Sequence, residues 1–300
     1  MVASYGRELR SNRASMDTQQ LRTAALYVVA TPLGNLGDIT LRAIEVLRAA
    51  DAIACEDTRH TRRLLDHYGI RAPLLAVHEH NEAQAAERLL ALLAEGKRVA
   101  LVSDAGTPGI SDPGARTVAA VRRAGFQVIP LPGANAAVAA LSASGLADPH
   151  FLFVGFLPAK PGARRQTIAA VGSIAATLVF YEAPHRVAEA LADLAELLDP
   201  RRELVVAREL TKLFEEIARM PLPEGPAWLA ADGNRARGEF VLLVSAPPPE
   251  DELPAAAERT LKLLLAELPL KQAVGLAAAI SGAPKNALYQ LALSWRDERL

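Results

Sequence analysis

Short aliphatic runs alternate with longer amphipathic stretches through the first half of the chain, and this alternation limits the fold more than any other feature. Each run is long enough for one buried strand, and the stretches between them have the apolar spacing of helices. Strands that alternate with helices predict a parallel sheet covered by helices on both faces. The runs are Leu26–Ala30, Ala52–Cys55, Leu74–Val77, Val99–Val102 and Val128–Leu131.

The pattern changes near Asp148, where a second α/β region is predicted. An apolar run is followed by Leu157–Gly162, which reads as a linker. The strand candidates here are Phe151–Phe156, Thr177–Tyr181, Leu204–Ala207 and Phe240–Val244, with a helix over Pro184–Leu198. Three prolines then precede a small helical bundle, in which Lys271–Ser281, Gly282 and Pro284–Leu293 resemble a helix–turn–helix. We therefore predict four segments: a disordered extension (1–25), an N-terminal α/β domain (26–147), a C-terminal α/β domain (148–248) and a helical domain (255–300).

Composition narrows the class of protein. The net charge is −1, so a nucleic-acid site has to come from local basic patches, such as Lys160 with Arg164 and Arg165, or the lysines of the C-terminal bundle. The single cysteine excludes an internal disulfide framework and favours a reducing compartment. No apolar run approaches the roughly 20 residues that span a bilayer, so we expect a cytoplasmic protein without a membrane segment. The arginines and serines of the extension resemble a transit peptide, but Glu8 and Asp17 argue against that interpretation.

Three turns follow predicted strands and therefore belong at the carboxyl edge of the sheet, where open α/β sheets bind ligands. They are Thr31–Asp38, Ser103–Gly114 and Pro132–Asn135. The second has three glycines, two prolines and two aspartates, more than a simple turn needs. Each turn also has a purely structural interpretation, in which Asp38 or Asp112 serves as a helix cap and the segment after Pro132 only packs a helix against the sheet.

Two further polar clusters follow strands. Glu56–His60 lies at the predicted ligand edge and either contacts RNA or caps the next helix. His78, Glu79 and His80 alternate as metal ligands can, but no third ligand has convincing spacing, so we predict no metal. Cys55 is expected to be a small buried residue at a strand end.

Together, the turns and their order resemble the tetrapyrrole methylase family. The motifs that carry the resemblance are ATPLGNLGDIT, CEDTRHT, HEHNE, LVSDAGTPGISDPG, GFLP, YEAPHR, RELTKLFEE and GEF, spread from about Leu26 to Ser245. The resemblance implies two α/β domains with S-adenosylmethionine in the cleft between them. Within the family, the motifs are most similar to those of bacterial enzymes that methylate a cytidine ribose 2′-hydroxyl in 16S ribosomal RNA of the small subunit. The family resemblance also implies a homodimer. Asn135 departs from the pattern, which has a small residue such as Ser there.

The resemblance implies cofactor contacts from both domains. From the N-terminal domain these are Thr31, Pro32, Leu33, Gly34, Asp104, Ala105, Gly106, Thr107, Ala134 and Asn135. From the C-terminal domain they are Tyr181, Glu182, Ala207, Gly238 and Glu239.

The segment Arg208–Glu216 follows a strand candidate and is predicted to face the cleft. Its charges, three acidic and two basic, are unsuited to a buried core. We expect Glu209 and Lys212 to orient the ribose, and Glu215 or Glu216 to help accept the hydroxyl proton, with Glu209 or an uncharged Lys212 as other acceptors. A solvated loop with local pairs is the alternative. Two other activities remain open: methylation of tetrapyrrole carbons, and RNA binding without catalysis.

Overall fold

The structure is a computed structural model that describes residues 21–77, 82–248 and 253–297. The described residues form two compact units, one ending at Pro247 and the other beginning at Pro248. Most of the predicted extension and the His78–His80 cluster lie outside the described residues. Ala25 already belongs to the first strand, so the predicted boundary of the extension is too late by at least one residue.

The first unit begins with a five-stranded parallel sheet of order β3-β2-β4-β1-β5. The inner strands are nearly free of polar residues because helices cover them on both faces, which confirms the predicted parallel α/β arrangement, whereas the two edge strands are partly exposed. The strands are β1 Ala25–Val29, β2 Ala52–Cys55, β3 Leu74–Ala76, β4 Arg98–Val102 and β5 Gln127–Leu131.

Helices connect these strands and also follow the last of them. They are α1 Leu41–Ala49, α2 Thr58–His67, α3 Glu82–Ala94, α4 Ala115–Arg123 and α5 Ala136–Ser144. The expectation that Asp38 or Asp112 caps a helix is wrong. Thr40 caps α1, by accepting a hydrogen bond from the Ala43 amide at 3.1 Å. The first amides of α4 donate to the Glu82 carboxylate, from Arg116 at 3.0 Å and from Thr117 at 3.1 Å, and not to Asp112.

The second sheet has the order β6-β7-β10-β8-β9 and is mixed. Strand β10 lies between β7 and β8 and runs antiparallel to both. The strands are β6 Phe151–Phe156, β7 Thr177–Glu182, β8 Glu203–Arg208, β9 Glu216–Pro221 and β10 Phe240–Val244. Strand β9 was not predicted from the sequence, because its residues EIARMP mix charged with apolar side chains and lack the run of β-branched residues seen in the other strands.

Helices cover both faces of the second sheet. One face packs against α6 Pro161–Val171, α7 Val187–Leu197 and α8 Gly225–Ala230. The other face packs against α5, whose Ala137 and Ala140 contact the inner strands. Small residues on α5 let the helix approach the second sheet closely. Helix α5, which directly follows the last strand of the first sheet, therefore packs on the second sheet.

The second unit contains α9 Ala255–Glu267, α10 Leu270–Ser281 and α11 Lys285–Asp297. Its apolar core includes Leu261, Val274 and Leu288. Gly282 ends α10 in a left-handed conformation, with φ of 70°. The predicted small helical region is thus confirmed. None of the helices in the described ranges has the length and apolar character required to cross a bilayer.

Candidate functional site

A cavity of about 470 Å³ lies where the carboxyl edge of the first sheet meets the second sheet. Both α/β parts contribute side chains to its wall, as expected for a ligand site at strand ends. The first part supplies Leu33, Glu56, Asp104, Ala105, Gly106, Thr107, Ile110, Ser111, Asp112, Asn135 and Ala136. The second part supplies Phe156, Tyr181, Glu182, Ala183, Pro184, Leu210, Glu239, Phe240 and Val241.

The loop after β4 forms one wall and is held rigidly. Thr31 and Gly106 exchange two backbone hydrogen bonds of 2.9 Å, and the Thr31 hydroxyl donates to the Ser103 carbonyl at 2.9 Å. The Thr107 hydroxyl donates to the Ala134 carbonyl at 2.9 Å. Gly106 has φ of +87°, a conformation that strains any other residue. Thr31 and Ala134 therefore support the loop from behind rather than line the cavity.

The opposite wall is built around the end of β7. The Tyr181 hydroxyl accepts a hydrogen bond from the Ala137 amide at 3.1 Å, so it fixes α5 against the sheet. The Glu182 side chain is fully buried and lies 3.2 Å from the Arg186 guanidinium. One of its oxygens accepts from the Ala183 amide at 2.9 Å, and the other has no partner among the described residues. A buried acceptor without a partner in a cavity wall is suited to a donor on a ligand.

The antiparallel direction of β10 explains why these residues meet. In the register of the sheet, Phe240 at the start of β10 pairs with Glu182 at the end of β7 and with Arg208 at the end of β8. The residue before β10, Glu239, therefore joins the ends of β7 and β8 at one edge. A parallel β10 would have placed Glu239 at the opposite edge.

Three carboxylates gather on the wall formed by the first sheet, namely Glu56, Asp104 and Asp112. Asp104 accepts a hydrogen bond from the Asp57 amide at 3.2 Å. Burial, followed by the negative charges of Glu56 and Asp104, raises the pKa of Asp112 to about 6. Such a cluster is suited to a cationic ligand. Within the described ranges, no group of histidine, cysteine or acidic residues has an arrangement that could hold a metal ion.

Lys212 connects the two α/β parts beside Glu239, at the rim of the cavity; neither Lys212 nor Glu209 lines the cavity itself. Its ammonium group lies 2.8 Å from Glu209 Oε1 and 2.9 Å from Glu239 Oε2. Its side chain covers Gly34, where an added Cβ would lie 2.3 Å from Lys212 Cγ. A glycine is thus needed at position 34 because the Lys212 side chain packs directly on its backbone. Gly34 itself does not line the cavity.

The same contacts fix the charges of this cluster. Burial by itself lowers the pKa of Lys212, but the hydrogen bonds to Glu209 and Glu239 outweigh it and raise the pKa above its usual value. Burial likewise acts to raise the pKa of Glu209, but the hydrogen bonds from Lys212 and the Glu239 amide lower it overall. Lys212 is thus held as an ammonium by two carboxylates, which argues against a role for it as the proton acceptor.

The two remaining acidic candidates lie outside the cavity lining. Glu215 accepts a hydrogen bond from the Thr211 amide at 2.6 Å. Glu216 is the first residue of β9 and lies 2.8 Å from Arg208 and 3.4 Å from Arg235. Paired with two arginines, Glu216 has the contacts of a structural residue. The two glutamates are thus not brought to the group formed by Glu209, Lys212 and Glu239.

Nine of the fifteen cofactor contacts predicted from the sequence lie in the cavity wall. The predicted contacts that line it are Leu33, Asp104, Ala105, Gly106, Thr107, Asn135, Tyr181, Glu182 and Glu239. Those that do not are Thr31, Pro32, Gly34, Ala134, Ala207 and Gly238. Ala207 is wholly buried in the core, and Gly238 lies against the Glu209 side chain. Asp112 was missed because its position after a proline-rich loop resembled that of a helix cap. The side chain of Asn135 does cap a helix, α5, at 3.1 Å from the Val138 amide.

The predicted basic patch near Lys160 is wrong. Arg164 is buried, with Asp193 at 2.6 Å and Glu189 at 3.0 Å, and Arg165 pairs with Asp193 and Glu196. These ion pairs join α6 to α7, so the two charges stabilise helix packing and are unavailable to a nucleic acid.

Sequence comparison gives two matching families. Residues 25–225 match the family described as Tetrapyrrole (Corrin/Porphyrin) Methylases, and residues 251–296 match the RsmI C-terminal HTH domain. A similar protein is Ribosomal RNA small subunit methyltransferase I of Escherichia coli O157:H7, which is 55% identical over 89% of this chain and 94% of its own length. The protein of the same name from Pseudomonas aeruginosa is 52% identical over 91% of this chain and 98% of its own length.

Solved structures share the fold at low sequence identity. A cobalt precorrin-4 methyltransferase of cobalamin biosynthesis gives a TM-score of 0.55 at 16% identity and covers 74% of this chain and 95% of its own. A Thermus thermophilus uroporphyrin-III C-methyltransferase, complexed with S-adenosyl homocysteine, gives 0.52 at 19% identity and covers 74% and 97%. These likenesses concern the two-sheet fold.

Proposed function

This chain belongs to the tetrapyrrole methylase family, and we propose that it transfers a methyl group from S-adenosylmethionine to the ribose 2′-hydroxyl of a cytidine in 16S ribosomal RNA. The observation that carries the proposal is the likeness to ribosomal RNA small subunit methyltransferases over about nine-tenths of the chain. That likeness includes the C-terminal helical domain, which a family model of its own also matches.

The cavity suits the proposed cofactor in charge and in hydrogen bonding. S-Adenosylmethionine carries a positive sulfonium, and Glu56, Asp104 and Asp112 provide negative charge on one wall. The unpartnered oxygen of Glu182 would accept a hydrogen bond from an N–H or O–H of the ligand. Backbone groups of the Ser103–Gly114 loop, fixed by Thr31 and Thr107, would provide the remaining polar contacts.

When bound, the cofactor supplies an activated methyl group, so this chain has to align the ribose oxygen and remove its proton. We assign alignment to Lys212, which Glu209 and Glu239 hold at the rim of the cavity. We assign proton acceptance to Glu239, which lines the cavity and has a side chain that is 76% exposed. Glu209 already accepts hydrogen bonds from both Lys212 and the Glu239 amide, which favours a positioning role for it.

A homodimer and a cytoplasmic location complete the proposal. Both agree with the family resemblance and with a substrate that belongs to the small ribosomal subunit. An RNA substrate within the assembled subunit would also explain an additional helical domain with lysines on its surface.

The test is methyl transfer from radiolabelled S-adenosylmethionine to small ribosomal subunits that lack the modification, with mass spectrometry of the nucleosides. We expect 2′-O-methylcytidine in 16S ribosomal RNA. Uroporphyrinogen serves as the competing substrate, and its methylation alone would assign the chain to tetrapyrrole chemistry. Binding of both cofactor and subunits without any methyl transfer would instead indicate an RNA-binding protein.

A further inference from the structure

A second cavity, of about 610 Å³, lies along the edge strand β5 of the first sheet. We call it the β5-edge cavity. It shares no lining residue with the carboxylate-lined cavity. Its described lining contains no acidic side chain and includes the guanidinium groups of Arg22, Arg42 and Arg122. Because all of its charged lining residues are cationic, this cavity favours an anionic ligand.

The three arginines come from separate parts of the chain. Arg22 precedes β1, Arg42 lies in the first turn of α1, and Arg122 lies in the last turn of α4. Arg22 is anchored, since its guanidinium donates to Gln127 Oε1 at 2.9 Å and its carbonyl accepts from the Tyr27 hydroxyl at 3.0 Å. The fold thus gathers cations that are distant in sequence around one hollow.

Many arginines elsewhere in the first unit are paired with carboxylates. Arg164 pairs with Asp193, and Arg208 pairs with Glu216. By contrast, neither Arg42 nor Arg122 forms an ion pair within the described part of the chain. A guanidinium presents a planar fork of donors that matches two oxygens of a phosphate, so the chemistry here fits phosphate better than a carbonyl or a cation.

We propose that the β5-edge cavity binds the phosphodiester backbone of the RNA substrate, outside the catalytic cavity. The inference rests on the proposed function, because an RNA substrate carries phosphates on both sides of the reacting ribose. Contacts to these phosphates add affinity and fix orientation without touching the reacting atoms. The chain between β1 and the first turn of α1 contributes to both cavities: Leu33 lines the catalytic cavity, and Arg42, two residues after the cap Thr40, lines the β5-edge cavity.

The test compares the double variant Arg42→Gln/Arg122→Gln with wild type and with the control Arg71→Gln. All three arginines are exposed, and Arg71 lies before β3 at the opposite edge of the sheet. We expect the double variant to bind small subunits about tenfold more weakly and to lower the slope of log affinity against log salt by roughly 1 to 2. Cofactor affinity and the single-turnover rate at saturating subunits stay at wild-type values, and the control behaves as wild type.

Unchanged affinity and salt slope in the double variant, with a native melting temperature, would overturn the proposal. So would calorimetric binding of inorganic phosphate or a mononucleotide that the double variant loses while its RNA affinity is unchanged, because the cavity would then serve a small anion. The proposed function fails separately: wild type that binds subunits through these arginines but transfers no methyl group refutes the activity and leaves the RNA contact standing.

Discussion

Replacing Asp112 with asparagine tests the carboxylate cluster of the catalytic cavity. Burial and the charges of Glu56 and Asp104 raise the pKa of Asp112 from its ordinary 3.8 to about 6. Below the lower value, the group is protonated in both the folded and the unfolded chain. As the pH rises, the unfolded chain ionises first, so this group's contribution to stability is lost through the folded pKa of about 6.

The magnitude follows from the size of the shift. Two pKa units correspond to roughly 3 kcal/mol, which partial exposure to solvent reduces to about 1 to 2 kcal/mol. Asp112→Asn removes this penalty, so we expect the ligand-free variant to melt roughly 2 to 6 °C above wild type at pH 7.5. The difference should vanish only as the pH falls well below 3.8, where Asp112 is protonated in both the folded and the unfolded chain.

The same substitution should weaken cofactor binding by a charge-dependent amount. S-Adenosylmethionine has a cationic sulfur, whereas the sulfur of S-adenosylhomocysteine is neutral. We expect calorimetry to give an affinity loss of about fivefold for the first ligand and under about twofold for the second. Asp66→Asn, at an exposed position on α2, is the matched control and should change neither quantity. An unchanged or lower melting temperature at pH 7.5, or equal losses for both ligands, would refute the reasoning.

Other expected outcomes concern the rim, the C-terminal unit and the assembly. Glu209→Gln and Lys212→Ala should each lower the single-turnover rate about tenfold, roughly 1.4 kcal/mol in the barrier, whereas Glu215→Gln should not; equal rates in all three would exclude the rim cluster from catalysis. Lys212→Ala should also lower the melting temperature, because that side chain packs on Gly34. Gly34→Ala should displace Lys212 and reproduce its rate loss, and a wild-type rate would contradict the assigned alignment. Removal of residues 248–300 should leave calorimetric cofactor affinity intact and weaken subunit binding with a shallower salt dependence; normal methylation by the shortened chain would make this unit structural. Sedimentation should give twice the chain mass of 31.9 kDa, and the single mass at micromolar concentration would exclude the dimer.

Local sequence patterns were sufficient to predict most of the strands, the parallel first sheet and most of the first cavity wall. Aliphatic runs identify buried strands, and a turn that follows a parallel strand must lie at the carboxyl edge, so the pattern alone places Asp104 to Thr107 there. The family motifs added Tyr181, Glu182 and Glu239. These conclusions depend on local patterns and on short-range order along the chain.

The remaining features depend on tertiary contacts, because strand direction and charge pairing are set by residues distant in sequence. The missed strand β9 pairs Glu216 with Arg208, and antiparallel β10 brings Glu239 to the edge where Lys212 lies. Lys212 then keeps its charge through two carboxylates, only one of which is near it in sequence. Arg164 has the local sequence of a surface charge, but the fold pairs it with Asp193 on another helix. Long-range pairing determines which charges are neutralised and which face a ligand, and no local pattern specifies it.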